Sequence, residues 1–153
     1  MYNFGCHNLN DGKIHMYFWD ETSGSRGSQD IGTCLLKHIE KCVTSQKQVV
    51  AYSDTCGGQN RNINIALTLM KVTQSPQFHV NIIDFKFLLP GHSYLPNDRD
   101  FAQIEKQLNK KEFLFSPDDI FETIRKTGRK NKFVCTEMKH CDILALKQSK
   151  MHW

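Results

Sequence analysis

The chain has 153 residues, long enough for one domain with its own core, and it contains no apolar run near the roughly 20 residues that a membrane span requires. A hydrophobic content of 39% and a charged content of 24% are typical of globular proteins and exclude a disordered chain. The formal net charge is +4, and the whole basic surplus lies in residues 101–153.

The N-terminal stretch YNFGCHNLNDG has neither a basic region nor an apolar run, so no secretory signal is expected. The sequence therefore predicts an intracellular chain, nuclear or cytoplasmic, with reduced cysteines. The absence of a CxxC pair argues against a zinc finger or a thioredoxin-like site. Zinc binding by Cys135, His140 and Cys141 is an alternative with poor ligand spacing.

The first elements are a hairpin and a helix. Residues 2–20 form two β-prone stretches around Asp11-Gly12, a pair that suits a tight turn with positive φ. Ser28 is the predicted N-cap of a helix over 28–42. Its apolar stripe has helical spacing and consists of Ile31, Cys34, Leu35, His38, Ile39 and Cys42.

Alternating strands and helices follow. The run KQVVAYSD, 47–54, lacks polar alternation, which predicts a central strand covered on both faces. A helix is predicted at 62–72 and a strand at 79–89. A further helix is predicted at 98–110, with Phe101, Ile104 and Leu108 on its inward side. Ser116 and Pro117 indicate the start of another helix, and a last strand is predicted at 132–138.

This order predicts an α/β domain with a mixed sheet flanked by helices, in which the strand at 47–54 runs parallel to that at 79–89. Residues 1–115 would form the main domain and residues 116–153 a helix–strand extension of it.

Carboxylates gather near predicted strand ends. Asp54 ends one strand, His92 follows the next, and Asp98 and Glu105 lie seven residues apart on one side of the following helix. Mg²⁺ takes hard oxygen ligands and commonly one or two protein carboxylates, so Asp54 and Asp98 are candidate ligands. Asp100 lies on the opposite flank of the helix and is a poorer candidate.

A structural role is the simpler interpretation of each acid taken alone. Asp54 precedes Thr-Cys-Gly-Gly and is a good turn former, and Asp98 suits the positive end of a helix dipole. The basic segment 125–132 is similarly open to two interpretations, a solvated loop or a phosphate-contacting patch. Its basic residues are Arg125, Lys126, Arg129, Lys130 and Lys132.

The segments FWDETSGSRGSQDIGTCLLKHI, YSDTCGGQNRN and LLPGHSYLPNDRDFAQIEK resemble a transposon-derived family of animal proteins with an RNase H-like domain of the DDE transposase and integrase type. The resemblance extends to about residue 140. It implies Mg²⁺-dependent cleavage or transfer of DNA strands. It also implies that Asp54 is the second catalytic acid and Asp98 the third, with Glu105 in reserve and His92 as a further site residue.

The chain departs from that pattern in one respect. In the RNase H-like fold the first acid lies on a central first strand that precedes the hairpin, and this sequence opens at the hairpin. Asp20 lies on the wrong element to replace it. The expectation is a catalytically incomplete domain, either a fragment of a longer protein or a descendant of a transposase that has lost its chemistry. Nucleic-acid binding or protein interaction is the alternative function. Strand edges at 2–9 and 47–54 would lack a partner and could self-associate.

Overall fold

The computed structural model describes residues 1–89, 91, 94–111, 116–129 and 131–143. The strands are β1 (Tyr2–His7), β2 (Ile14–Trp19), β3 (Gln48–Ser53), β4 (Ile82–Phe87) and β5 (Phe133–Glu137). The helices are α1 (Ser28–Cys42), α2 (Ile63–Gln74), α3 (Pro96–Leu108) and α4 (Pro117–Lys126), followed by a 3-10 turn (His140–Asp142). The mixed α/β class predicted from the sequence is confirmed. No helix in these ranges is long and apolar enough to cross a membrane.

The chain divides into two compact units. Of the described residues, those within 3–19 and 94–137 form unit 1, and those within 20–93 and 138–143 form unit 2. The strands of the described ranges form two sheets, β1-β2-β5 in unit 1 and β3-β4 in unit 2, where the sequence predicted one. The predicted boundary at residues 115 and 116 stays a prediction.

The predicted hairpin is confirmed as β1 and β2 of unit 1. The connection over residues 8–13 is too short for a parallel crossover, so the two strands run antiparallel. Asn8 N donates to Lys13 O at 2.8 Å, and Gly12 takes a φ of 68°. A positive φ is easily adopted only by glycine, which explains the Asp-Gly pair.

The core of unit 1 lies between β2 and two helices. Ile14, Met16 and Phe18 alternate along β2 and are all buried. They pack in one cluster with Ile104 of α3, Phe121 and Ile124 of α4, and Phe133 of β5. The predicted inward stripe of α3 is confirmed, because Phe101 and Leu108 pack against the same cluster. The cluster fixes α3 and α4 on the sheet of unit 1.

The helix and strand after residue 115 are integral parts of unit 1. Ser116 caps α4 as predicted, accepting from Asp119 N at 3.3 Å, and Pro117 opens the helix. The β5 strand pairs in parallel with β2, Ile14 lying opposite Phe133. This pairing makes β2 the central strand of its sheet.

Unit 2 contains the predicted parallel pair, which is confirmed. β3 runs parallel to β4 with Val50 opposite Asp84 and Tyr52 opposite Lys86. The burial predicted for β3 is wrong, since Val50 and Tyr52 are 45% and 47% exposed. The strand has a single described strand neighbour, and its exposure alternates along the chain. An apolar run therefore formed a strand here without being covered on both faces.

Helix α1 has the predicted bounds but a different N-cap. Gly27 takes that position, and Ser28 is the first helical residue. The Ser28 hydroxyl instead accepts a hydrogen bond from Asn64 Nδ2 of α2 at 2.9 Å, which links the two helices of unit 2. On the predicted stripe, burial raises the pKa of the Cys34 thiol to about 12, so Cys34 is a packing residue.

Candidate functional site

Asp54 lies immediately after β3 and organises the loop that follows. Its Oδ1 accepts hydrogen bonds from Asn60 Nδ2 at 2.6 Å and from the backbone N of Cys56 at 3.3 Å. The Cys56 carbonyl in turn accepts from the backbone N of Asn60 at 2.9 Å and of Arg61 at 3.0 Å. Asp54 is thus a turn-forming residue, exposed at the carboxyl end of a parallel strand pair.

Asp98 has a structural role at the start of α3. Its Oδ2 accepts from the backbone N of Leu95 at 2.9 Å, and its own backbone N donates to the Leu95 carbonyl at 3.0 Å. These two bonds satisfy donors that a helix N-terminus leaves without partners. Glu105 is exposed further along α3, beside Lys106 and Lys110. Both acids therefore lie on the outer surface of α3.

The predicted metal site draws its residues from different parts of the molecule. Asp54 belongs to unit 2, whereas Asp98 and Glu105 belong to unit 1. The predicted approach of Asp54 to Asp98 or Glu105 stays a prediction, and His92 lies outside the described residues. Asp54 Oδ2 and Asp98 Oδ1 accept no hydrogen bond from any described residue. Each carboxylate could thus offer one oxygen to Mg²⁺, the monodentate mode that this ion uses.

Asp20 also acts as a turn residue. Its Oδ1 accepts from Thr22 Oγ1 at 2.7 Å and from the backbone N of Ser23 at 2.6 Å. These hydrogen bonds, that of Thr22 foremost, lower the pKa of Asp20. These contacts fix the carboxylate in its own loop, and the exclusion of Asp20 as a substitute for the first acid stays a prediction.

A buried ionic cluster in unit 1 was missed in the sequence. Asp100 of α3 is 1% exposed. Its Oδ2 lies 2.6 Å from His7 Nδ1 of β1, and its Oδ1 accepts from Lys132 Nζ at 2.8 Å. We call these three residues the Asp100 cluster. Both carboxylate oxygens have a partner, as burial of a charged group requires.

The close approach of α3 to β1 makes the Asp100 cluster possible. A Cβ on Gly5 would lie 2.9 Å from the ring of Phe101, so only glycine fits there without displacing that ring. Asn97 Nδ2 donates to the Gly5 carbonyl at 2.9 Å. Asp100 precedes Ile104 by four residues, which places both on one helix face, and this spacing was the available sequence signal.

The basic segment 125–132 carries less free charge than its sequence suggests. Lys132 is held by Asp100, and Lys126 pairs with Glu122 one helical turn earlier. Arg125 is hydrogen-bonded to Cys135, whose thiol pKa is raised chiefly by burial. Arg129 is exposed, and Lys130 lies outside the described residues.

A second basic surface lies in unit 1, between the ends of α3 and α4. A cleft of about 180 Å³ is lined there by Gln107, Lys110, Lys111, Glu122, Thr123, Lys126 and Thr127. Lys110 and Lys111 are exposed and form no ion pair with a described residue. Among the lining residues one acid, Glu122, stands against three lysines, and Lys126 engages it, so the lining has a net positive charge.

His140 has a local contact in unit 2. Its Nδ1 lies 3.1 Å from the carbonyl oxygen of Ser23, which occupies one of the two ring nitrogens available to a metal. The zinc alternative with Cys135 and Cys141 stays a prediction.

Comparison of the chain with protein-family models, curated proteins and solved structures gives no match.

Proposed function

We propose that this chain is an RNase H-like domain of transposase origin that binds nucleic acid but does not cut it. The observation that supports the lack of cleavage is that Asp54 and Asp98 both have local structural roles. Asp54 stands at the carboxyl end of a parallel strand pair, where ligand sites of α/β sheets occur, yet it organises its own loop. Asp98 likewise caps α3. Among the described residues, both acids bond only to groups of their own loop or helix start, and these contacts do not orient them towards a metal ion.

Two-metal phosphoryl transfer places strict demands on such acids. The ions must lie about 3.5–4 Å apart, which requires carboxylates fixed at the reacting phosphate. Asp54 and Asp98 each have one oxygen engaged in a local hydrogen bond, so each acid offers Mg²⁺ a single ligand atom. The charge needed to hold two ions is greater than these two acids supply.

The proposed nucleic-acid surface is the cleft between α3 and α4, with Arg129 beside it in sequence. Lys110 and Lys111, which form no ion pair with a described residue, can contact phosphates without regard to base sequence. A protein-interaction module is the second candidate, because unit 2 exposes Val50, Tyr52 and Ile82 on its strands.

The cleavage half of the proposal is tested with labelled single- and double-stranded DNA. The purified chain in Mg²⁺ or Mn²⁺ should release no more product than the variant Asp54→Asn. Cleavage by the wild-type chain that Asp54→Asn abolishes would overturn the proposed lack of activity.

The binding half is tested by electrophoretic mobility shift over a range of salt concentrations. The double variant Lys110→Glu and Lys111→Glu should weaken binding and lower the slope of log K against log salt by about 2. A matched control, Lys47→Glu and Lys71→Glu, makes the same charge change at exposed residues of unit 2. Equal losses in both double variants would show that net charge, and not the cleft, governs binding.

A further inference from the structure

One edge of β4 has no neighbouring strand among the described residues, so its backbone N–H and C=O groups are open to pairing. In the described part of the chain β4 pairs with β3 alone. Parallel sheets are normally covered on both faces and contain more strands than two, so this pair is unusually open. Ile82 and Phe87 at its ends are 53% and 39% exposed. The open edge is able to accept a further strand.

The hydrogen bonds to β3 show which residues face the open edge. Ile82 N donates to Lys47 O at 3.1 Å, and Leu88 N donates to Ser53 O at 2.9 Å. Even-numbered residues of β4 therefore direct their backbone groups towards β3. Backbone direction alternates along a strand, so Ile83, Phe85 and Phe87 direct theirs towards the open edge.

We propose that this edge pairs antiparallel with β4 of a second copy of the chain, about a two-fold axis at Phe85. The product is a closed dimer with a four-stranded sheet, β3-β4-β4-β3. The proposal does not depend on nucleic-acid binding, and it concerns a different strand from the edges considered in the sequence.

The charge pattern of β4 selects this register. With Phe85 opposite its own copy, Asp84 lies opposite Lys86 of the second copy, and Lys86 lies opposite Asp84. Registers centred on residue 84 or 86 would place Asp84 opposite Asp84, or Lys86 opposite Lys86, and like charges directly opposite are destabilising. Only the register at Phe85 gives two ion pairs, and Ile83 then meets Phe87.

The two charged side chains are available for this role. Neither Asp84 nor Lys86 forms an ion pair with another described residue. Asp84 Oδ2 accepts from Gln48 Nε2 at 2.8 Å, and Lys86 Nζ lies 5.7 Å from the centre of the Tyr52 ring. Charges on an edge strand often prevent pairing, but opposite charges two residues apart are complementary to their own antiparallel copy.

The first test is a charge swap followed by sedimentation of the full chain over a range of concentrations. Wild type should form dimers, and Asp84→Lys and Lys86→Asp should each weaken self-association by about tenfold or more. An equimolar mixture of the two variants should recover heterodimers, because one copy then has lysine at both positions and faces aspartate at both positions of the other. The double swap within one chain should also dimerise.

Three results would overturn the proposal: a wild-type chain that stays monomeric, single variants that associate like wild type, or a mixture that fails to recover dimers. Circular dichroism of each variant shows whether it is folded. If a charge variant does not fold, the second test decides, because it leaves Asp84 and Lys86 unchanged.

The second test is disulfide crosslinking, with exposed Cys56 and Cys141 replaced by serine. Cysteine at Phe85 would lie on the axis, where Cα atoms of a hydrogen-bonded pair are about 5.5 Å apart and suit a disulfide. Cysteine at Ile83 would lie about 13 Å or more from its copy, four residues of strand rise. Oxidation should crosslink Phe85→Cys and not Ile83→Cys. Equal crosslinking of the two variants would contradict the register.

Discussion

The strands β2 and β3 both come from largely apolar runs of sequence, but they lie in different environments. All six residues of β2, IHMYFW, are buried, and the strand lies between β1 and β5. Residues of β3, QVVAYS, alternate between exposed and partly buried up to the buried Ser53, and the strand has one described neighbour. An apolar run thus predicts a strand, but not how many faces of it are covered. Coverage is decided by residues distant in sequence, such as Phe121 and Phe133 for β2.

The largest expected effect contrasts one phenylalanine from each sheet. Phe18 is 2% exposed, and its ring centre lies 5.0 Å from that of Phe121. We expect Phe18→Ala to lower the free energy of unfolding by about 3–5 kcal/mol, because it leaves a cavity. Phe87 is 39% exposed, and Phe87→Ala should cost about 1 kcal/mol.

Urea unfolding at low protein concentration measures both changes without a contribution from association. Equal losses for Phe18→Ala and Phe87→Ala would show that the sheet of unit 2 is covered in solution, and the contrast between β2 and β3 would then fail.

Local signals in the sequence predicted the elements well. Asp11-Gly12, Ser116-Pro117 and the stripe on α3 located the hairpin and two helices, since turns, caps and periodicity depend on nearby residues. The parallel pairing of β3 with β4 also followed from the alternation of strands and helices. The division into two sheets did not follow from local signals, because it depends on which strands pair between distant parts of the sequence.

The second prediction concerns the interior of unit 1. Asp100→Ala leaves His7 and Lys132 without their shared carboxylate, and breaking a buried pair costs about 3 kcal/mol or more. Lys132 retains some access to water, which keeps the loss at the lower end. The measurement is again urea unfolding, with Glu105→Ala as an exposed acid of the same helix whose loss should be near zero. A similar cost for the two variants would refute a stabilising Asp100 cluster.

The Asp100 cluster also shows why the candidate site was only partly predictable. Sequence spacing located Asp54 and Asp98 at a strand end and a helix start, where turn and capping roles are common, and the structure gives them those roles. No residue close to Asp100 in the sequence indicates that His7, distant in sequence, lies 2.6 Å from it in the fold. Such a contact arises from tertiary packing of α3 on β1.

The third prediction tests the capping role of Asp98. Asp98→Ala removes the acceptor for Leu95 N and should lower the free energy of unfolding by about 1 kcal/mol. Asp98→Asn is the matched variant, since an amide oxygen can still accept that hydrogen bond, and it should recover part of the loss. If neither substitution changed the free energy of unfolding, the Asp98 carboxylate would have no capping role, and the case for it as a Mg²⁺ ligand would be stronger.

The smallest expected effect concerns the surface pair of unit 2, Lys37 and Asp142, which contrasts with the buried Asp100 cluster. Lys37 Nζ donates to Asp142 Oδ1 at 2.7 Å, and this hydrogen bond is the main cause that lowers the pKa of Asp142. The side chains are 35% and 27% exposed, so solvent screening limits the pair to about 0.5 kcal/mol.

The pH dependence of this pair follows from the direction of the shift. A carboxyl group with a lowered pKa in the folded state stabilises the fold above its unfolded value of 3.8, and that contribution is lost as the pH falls through the folded value. Asp142→Asn should therefore be less stable than wild type near neutral pH, and the difference should shrink below 3.8. Urea unfolding of both proteins at several pH values measures it. A difference that persisted unchanged in acid would mean that Asp142 acts through packing, and not through its charge on Lys37.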